Sequence, residues 1–499
     1  MAFIKIKKTI IIFSIVAISI SQYLCFLGLG LNSSGEHDDL FMFMRSSQYL
    51  RHYNKAIDTE LPKQNLPEQL SNDERFKKRF DISASHWKTY TLASLLYNIP
   101  VLFNDVINKD NSIVNYSSQL VTMLVSSFIV TFLIFLWILK RFLDKQMALY
   151  ILITLIISTA IFFISINFWM TQYDAHLFGK DKGIIDFLKR IIMLPANPRY
   201  QFHFFSFTPR NQFCLMLFTT FLLRWSDRYK LSYWVLFIGF LFHAAMGIIF
   251  FLFIFLIDLI RKILFNQNNF NIIVIFLIPL LFIVRSDLLF VLLPSFSLSS
   301  IHFLLLIAIF IVVVYIFQYI IKNILIKIPL PENISSKINN PIIGDIIIFF
   351  CIWLIGLPLA IYFNNIADDF SSVYLWSQIL GRPLAMMHGP LLLAFVIYIY
   401  GWIEKSNILS KYYHNIVWGK ILLTGFYLIL IVWFSSGVYL FNRGYSTFSV
   451  LTDKFVEKLD EPFIPLEPNE RNEAFLLYTS IRSFDDNKDY FQQILASKK

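Results

Sequence analysis

Long runs of Ile, Leu, Phe and Val alternate along the chain with short clusters of Lys and Arg. Runs near or above the roughly 20 residues that cross a 30 Å hydrocarbon core predict membrane-spanning helices. The first extends from a basic start at Lys5, Lys7 and Lys8 to about Leu31, and no small-x-small site closes it. It predicts a retained first helix with those lysines in the cytoplasm. Further spans are expected at about 119–139 and 147–169, joined by Lys140, Arg141 and Lys145, and at about 207–223, ending in Arg224, Arg228 and Lys230. Because Arg261 and Lys262 follow the block 231–260, both its ends lie on one side, so two short helices turning at Phe242 to Gly247 are expected there. Spans at about 270–284, 300–321, 342–363, 384–403 and 418–438 complete the pattern.

The predicted fold is an all-α polytopic membrane protein of about 11 transmembrane helices, with the N-terminus cytoplasmic, the C-terminus on the outer side and a large first outer loop. Its expected organisation is a first transmembrane helix at 1–31, a large outer loop with interfacial helices at 32–118, a multi-helix transmembrane domain at 119–438 and a small outer tail or cap at 439–499.

Composition sharpens the picture. The chain is 57% apolar and only 15% charged, against about 25% charged in soluble domains, which argues against an ordinary soluble enzyme. A net charge of +10 raises the question of nucleic acid, but the cations sit in short clusters between apolar blocks, and no basic stripe is interleaved with aromatics on a polar segment. Cys25, Cys214 and Cys351 are isolated, which suggests neither a disulfide framework nor a CxxC metal site.

The sharpest cluster of chemistry is Glu36-His37-Asp38-Asp39, directly after the first helix. Carboxylates and an imidazole this close together suit a general base or a divalent-metal ligand set. The plainer reading is a solvated loop in which Asp38 or Asp39 caps an interfacial helix. Asp174, in Tyr173-Asp174-Ala175-His176 after the third predicted span, either joins these acids or stands alone in a wet loop. Arg199, His203, Arg210, His243, Arg382 and His388 lie near predicted outer helix ends. A guanidinium fork grips phosphate oxygens, so such a set suits an anionic lipid headgroup. For Arg210 the plainer reading is snorkelling to phospholipid, and for His243 it is a helix-ending histidine packed in the bundle. The sequence holds no GxxxxGK[ST] loop, GxSxG elbow or HExxH.

In layout the chain resembles the GT-C superfamily of polytopic glycosyltransferases that use polyprenyl-phosphate-linked sugars. The resemblance is carried by the first helix, the acidic start of the first outer loop (Glu36-His37-Asp38-Asp39), Asp174 in the second, the hairpin around His243 and the outward tail. It covers most of the chain in outline but few residues in motif, and neither a DxD nor a WWD-like motif is present. The resemblance implies Asp38 or Asp39 as the catalytic carboxylate, with Asp174 beside them. It also implies substrate binding by Glu36, His37, Arg210, His243 and Arg382, a polyprenyl-phosphate sugar donor, contact with membrane lipid and an acceptor hydroxyl of unspecified identity. Magnesium or manganese is compatible with such acids, with the metal ligands unassigned and no other cofactor expected. A bacterial inner membrane, with the site facing the periplasm or exterior, is the expected location because the sequence shows no organelle address, and a eukaryotic reticulum membrane would give the same hydropathy. The rival readings are a polysaccharide polymerase or ligase relying on outer-loop arginines, and a lipid or saccharide transporter.

Overall fold

The computed structural model of the chain describes residues 7–32, 116–172, 209–265, 340–366 and 382–405, with helical positions between 424 and 442. Among them the backbone is almost entirely α-helical: α1 Lys8–Asn32, α2 Tyr116–Phe142, α3 Lys145–Gln172, α4 Pro209–Arg224, α5 Tyr229–Phe242, α6 Ala244–Phe265, α7 Pro341–Ile366 and α8 His388–Lys405. Helices therefore stand where the apolar runs predict them. The membrane-spanning reading of those helices does not hold: among the described residues no helix is long and apolar enough to cross a membrane. For α4 and α5 length is the physical reason. At about 1.5 Å per residue, 16-residue α4 and 14-residue α5 span only about 24 and 21 Å, short of a 30 Å core. The fold is corrected from an 11-span membrane bundle to a helical assembly, and the predicted spans at 270–284 and 300–321 lie outside the described residues.

Helix boundaries follow local chemistry. The Asp144 carboxylate accepts the Met147 N–H at 2.7 Å, capping the start of α3. The Asn340 side-chain oxygen accepts the N–H groups of Ile342 and Ile343 at 2.9 and 3.3 Å, with Pro341 at the first helical position, where its missing N–H costs nothing. After α4 the chain turns through Asp227 at φ 56°, a left-handed residue that lets the Arg228 N–H reach the Leu223 carbonyl at 2.8 Å. Such a turn satisfies carbonyls the helix end leaves open.

The described residues fall into two compact units: 1–15, 137–203 and 213–416 in the first, and 16–136, 204–212 and 417–499 in the second. In the first unit α4 is the centre. Phe213, Leu215, Met216, Leu217, Phe218 and Phe221 are all fully buried, so this helix is enclosed on every face rather than along one stripe. Thr219 and Thr220 lie inside the same helix and return their hydroxyl protons to the Leu215 and Met216 carbonyls at 2.7 and 2.8 Å, which removes the cost of burying them. Around α4, Phe250 of α6 meets Phe213 at 5.6 Å and stacks nearly parallel on Phe349 of α7. Helix α3 packs on α8, with Tyr150 edge-on to Tyr400. In the second unit Tyr23 of α1 stacks on Phe128 of α2 at 4.1 Å, and Phe128 continues to Phe132.

Small residues set the closest approach. A Cβ on Gly247, in the first turn of α6, would lie 2.5 Å from the Phe240 Cα and 2.6 Å from its Cβ. Backbone cannot yield as a flexible side chain does, so Gly247→Ala is expected to lower stability by about 1 to 3 kcal/mol, read as a fall in the thermal midpoint. Gly239→Ala meets side chains of Met216 and Phe213 at 3.0 Å and beyond and is expected to cost less. Equal midpoints for the two variants would show that α5 and α6 separate freely.

Candidate functional site

The chain between α5 and α6 breaks at His243, where the residue adopts φ −142° and ψ 88°. No proline forces the break. His243 satisfies both helix ends: its N–H donates to the Gly239 carbonyl at 3.0 Å, and its own carbonyl accepts the Gly247 N–H at 2.9 Å. Its Nδ1 faces the Met246 N–H at 3.5 Å, and its ring meets Phe213 of α4 edge-on. Only 3% of the residue is exposed. The two-helix reading of 231–260 thus matches the backbone, and the imidazole belongs to the packing between α4, α5 and α6.

Past the break, one turn of spacing puts Asp258 and Arg261 on the same side of α6. Both are buried together with Arg224, the last residue of α4, and Asp345 in the second turn of α7. Arg224 grips Asp258 with both terminal nitrogens, Nη2 to Oδ1 at 2.6 Å and Nη1 to Oδ2 at 2.9 Å. Its Nε donates to Asp345 Oδ2 at 3.0 Å. Arg261 approaches the other Asp345 oxygen through Nε at 2.9 Å, and its Nη2 donates to the Asn340 and Pro341 carbonyls at 3.0 and 2.8 Å. The Tyr233 hydroxyl, from α5, donates to Asp258 Oδ2. Two guanidiniums and two carboxylates balance in charge, and all four carboxylate oxygens are engaged.

The electrostatics follow from that closure. Burial alone pulls the Arg224 pKa down, but the two facing carboxylates outweigh it and hold the guanidinium well above its ordinary range. Burial and the adjacent Asp258 push the Tyr233 phenol well up, keeping its proton in place as a donor. The bidentate fork is the strongest geometry open to an Arg–carboxylate pair. With each carboxylate oxygen engaged and the residues buried, the network ties the C-terminal end of α4 to α5, α6 and the N-terminal end of α7.

These residues were not legible as a cluster. Charge pattern alone places Arg224 and Arg261 among cytoplasmic loop cations, whereas both are buried in helices. The available signal was the carboxylate of Asp258 inside an otherwise apolar run, three positions before Arg261. A charge in such a run needs a partner, and the i, i+3 spacing names a face.

Of the sequence-derived site residues, Arg210, His243 and Arg382 are described. Arg210 occupies the first turn of α4, directly after Pro209, and is partly exposed; the adjoining Asn211 and Gln212 are buried. Arg382 is partly exposed in a helical turn that precedes His388, the first residue of α8. Arg210 belongs to the second unit, His243 and Arg382 to the first. Glu36, His37, Asp38, Asp39 and Asp174 lie outside the described residues. Among the described residues no three His, Cys, Asp or Glu side chains gather where a metal ion would sit. Comparison of the chain with protein-family models, with curated proteins and with solved structures gives no match.

Proposed function

We propose that the chain is a glycosyltransferase that moves a sugar from a polyprenyl-phosphate donor to an acceptor hydroxyl at a membrane surface. The observation that carries the reading is Arg210 in the first turn of α4. The positive end of the helix dipole favours anions there, and a guanidinium in that turn adds a fork matched to phosphate oxygens. The acidic sequence Glu36-His37-Asp38-Asp39, shortly after α1, supplies the complementary chemistry. In the proposed reaction Asp39 or Asp38 takes the acceptor hydroxyl proton as that oxygen attacks the anomeric carbon. The bond from that carbon to the phosphate oxygen breaks, and the electron pair leaves with polyprenyl phosphate, whose charge Arg210 offsets.

The donor half of the reading is tested by native mass spectrometry of the full chain released from mild detergent in the presence of undecaprenyl phosphate. A bound species is expected in the unmodified protein and is expected to weaken at least tenfold in Arg210→Ala, since a charge-assisted hydrogen bond contributes about 1.5 to 3 kcal/mol. Arg210→Lys should recover only part of the binding, because an ammonium lacks the fork. Equal retention in all three proteins would remove Arg210 from the donor site.

A further inference from the structure

A second charged surface lies far along the sequence from Arg210 and belongs to the first unit. Lys8, in the first turn of α1, donates through Nζ to the Lys140 carbonyl at 3.1 Å and to the Leu143 carbonyl. These are among the last carbonyls of α2 and the first beyond it, groups that a helix end leaves open and that favour a cation. The bond fixes the start of α1 beside the turn between α2 and α3. That juxtaposition gathers Lys7, Lys140 and Arg141, all exposed, with half-buried Lys145. The carboxylate within the same group of residues, Asp144, is already engaged in capping α3.

The cations are not alone. Phe13, one and a half turns into α1, is 65% exposed, and Ile10 of the same helix is 39% exposed. Trp137, one turn before Lys140 on α2, is 56% exposed and lies edge-on to Phe142. Large apolar groups standing in water beside Lys and Arg form the pattern of an interfacial contact: indole and phenyl rings sit among headgroups and upper acyl chains while the cations meet phosphate. An acidic polypeptide would satisfy the charges but leave Phe13 and Trp137 without a use. We infer that the corner formed by the start of α1 and the α2–α3 turn is a docking surface for anionic phospholipid headgroups.

This inference is independent of the glycosyl-transfer reading, because it uses none of the residues assigned to donor or acceptor. Its test offers the full chain in nonionic detergent an equimolar mixture of phosphatidylglycerol and phosphatidylcholine and reads the ratio of bound lipids by native mass spectrometry. Phosphatidylglycerol is expected to be enriched, with the enrichment falling as salt rises. Each cation removed should lower the ratio about fivefold, so Lys7→Gln, Lys140→Gln and Arg141→Gln together should lower it by about a hundredfold or abolish the preference. Trp137→Ala should weaken retention of both lipids while leaving their ratio unchanged, which separates the apolar from the ionic contribution. Helix content by circular dichroism should be unchanged in each variant, since these side chains are exposed and Lys8 is retained. A bound ratio near one in the unmodified protein overturns the inference, and so does an enrichment that survives the triple substitution. If decaglutamate peptide binds with the same dependence on the three cations and phosphatidylglycerol does not, the surface takes acidic polypeptide and the lipid assignment falls.

Discussion

Arg224→Ala is expected to destabilise the first unit by about 3 to 5 kcal/mol, the cost of leaving a buried charge without its partner. The substitution takes both terminal nitrogens from Asp258 and the Nε from Asp345, leaving two buried carboxylates facing one guanidinium. The loss would be largest in thermal midpoint and in protection of α4, α6 and α7 amides from hydrogen exchange. Removing charge in a balanced way should cost much less. Arg224→Met combined with Asp258→Leu leaves the Arg261–Asp345 pair at 2.9 Å intact and replaces an ionic contact by apolar volume, an exchange that is often neutral in other proteins. Tyr233 then loses its acceptor, so Tyr233→Phe in that background should recover stability. A single substitution no more costly than the balanced pair would show that water reaches the cluster and that it does not hold the helices together.

The cluster also shows why some of this fold was legible in the sequence and some was not. Helices were readable because unbroken Ile, Leu and Phe runs leave few alternatives to a helix when backbone groups must be buried and paired. The α5–α6 break was readable from charge: Arg224 and Lys230 before the block and Arg261 and Lys262 after it favoured a return of the chain over one continuous helix. That argument reached the right break through a premise that fails, since Arg224 and Arg261 are buried side chains rather than loop cations. Hydropathy counts an Arg as a boundary whether it meets solvent or a carboxylate from another helix. Asp258 and Asp345 lie 87 residues apart in sequence, and no local pattern pairs them.

The same limit explains the misreading of the helices as membrane spans. Apolar content records that a helix is buried, not what buries it, and α4 shows this most clearly. It is buried on all its faces, with Phe213 against Phe250 of α6 and with Met216 and Phe213 close to Gly239 of α5, a condition that satisfies the same hydrophobic run as lipid would. Its 16 residues suit a core helix. Phe13 and Trp137 remain exposed, and theirs is the apolar surface proposed above to meet phospholipid.

On the proposed glycosyl-transfer reading, Asp39→Asn is expected to lower transfer by about a hundredfold to ten-thousandfold, the usual contribution of a positioned general base. Asparagine keeps the size of the side chain and loses the proton acceptor, so donor retention should be unchanged while turnover collapses. Asp38→Asn in parallel decides which of the two adjacent carboxylates acts, because residues next to one another in a chain rarely present their side chains in the same direction. A base also imposes a pH dependence, with transfer falling as acidity protonates the acting carboxylate, and that limb should vanish in the Asn variant along with the main activity. An arginine-driven polymerase makes the opposite prediction. It would keep its rate when Asp38, Asp39 and Asp174 are all changed to Ala and lose it with Arg210→Ala, since charge stabilisation of the leaving phosphate would then be the main source of acceleration. Measuring transfer from a polyprenyl-phosphate sugar in both sets of variants separates the two: a surviving acid-free enzyme would retire the general-base assignment, and loss in the Asp39 or Asp38 variant with intact donor binding would fix it to that residue.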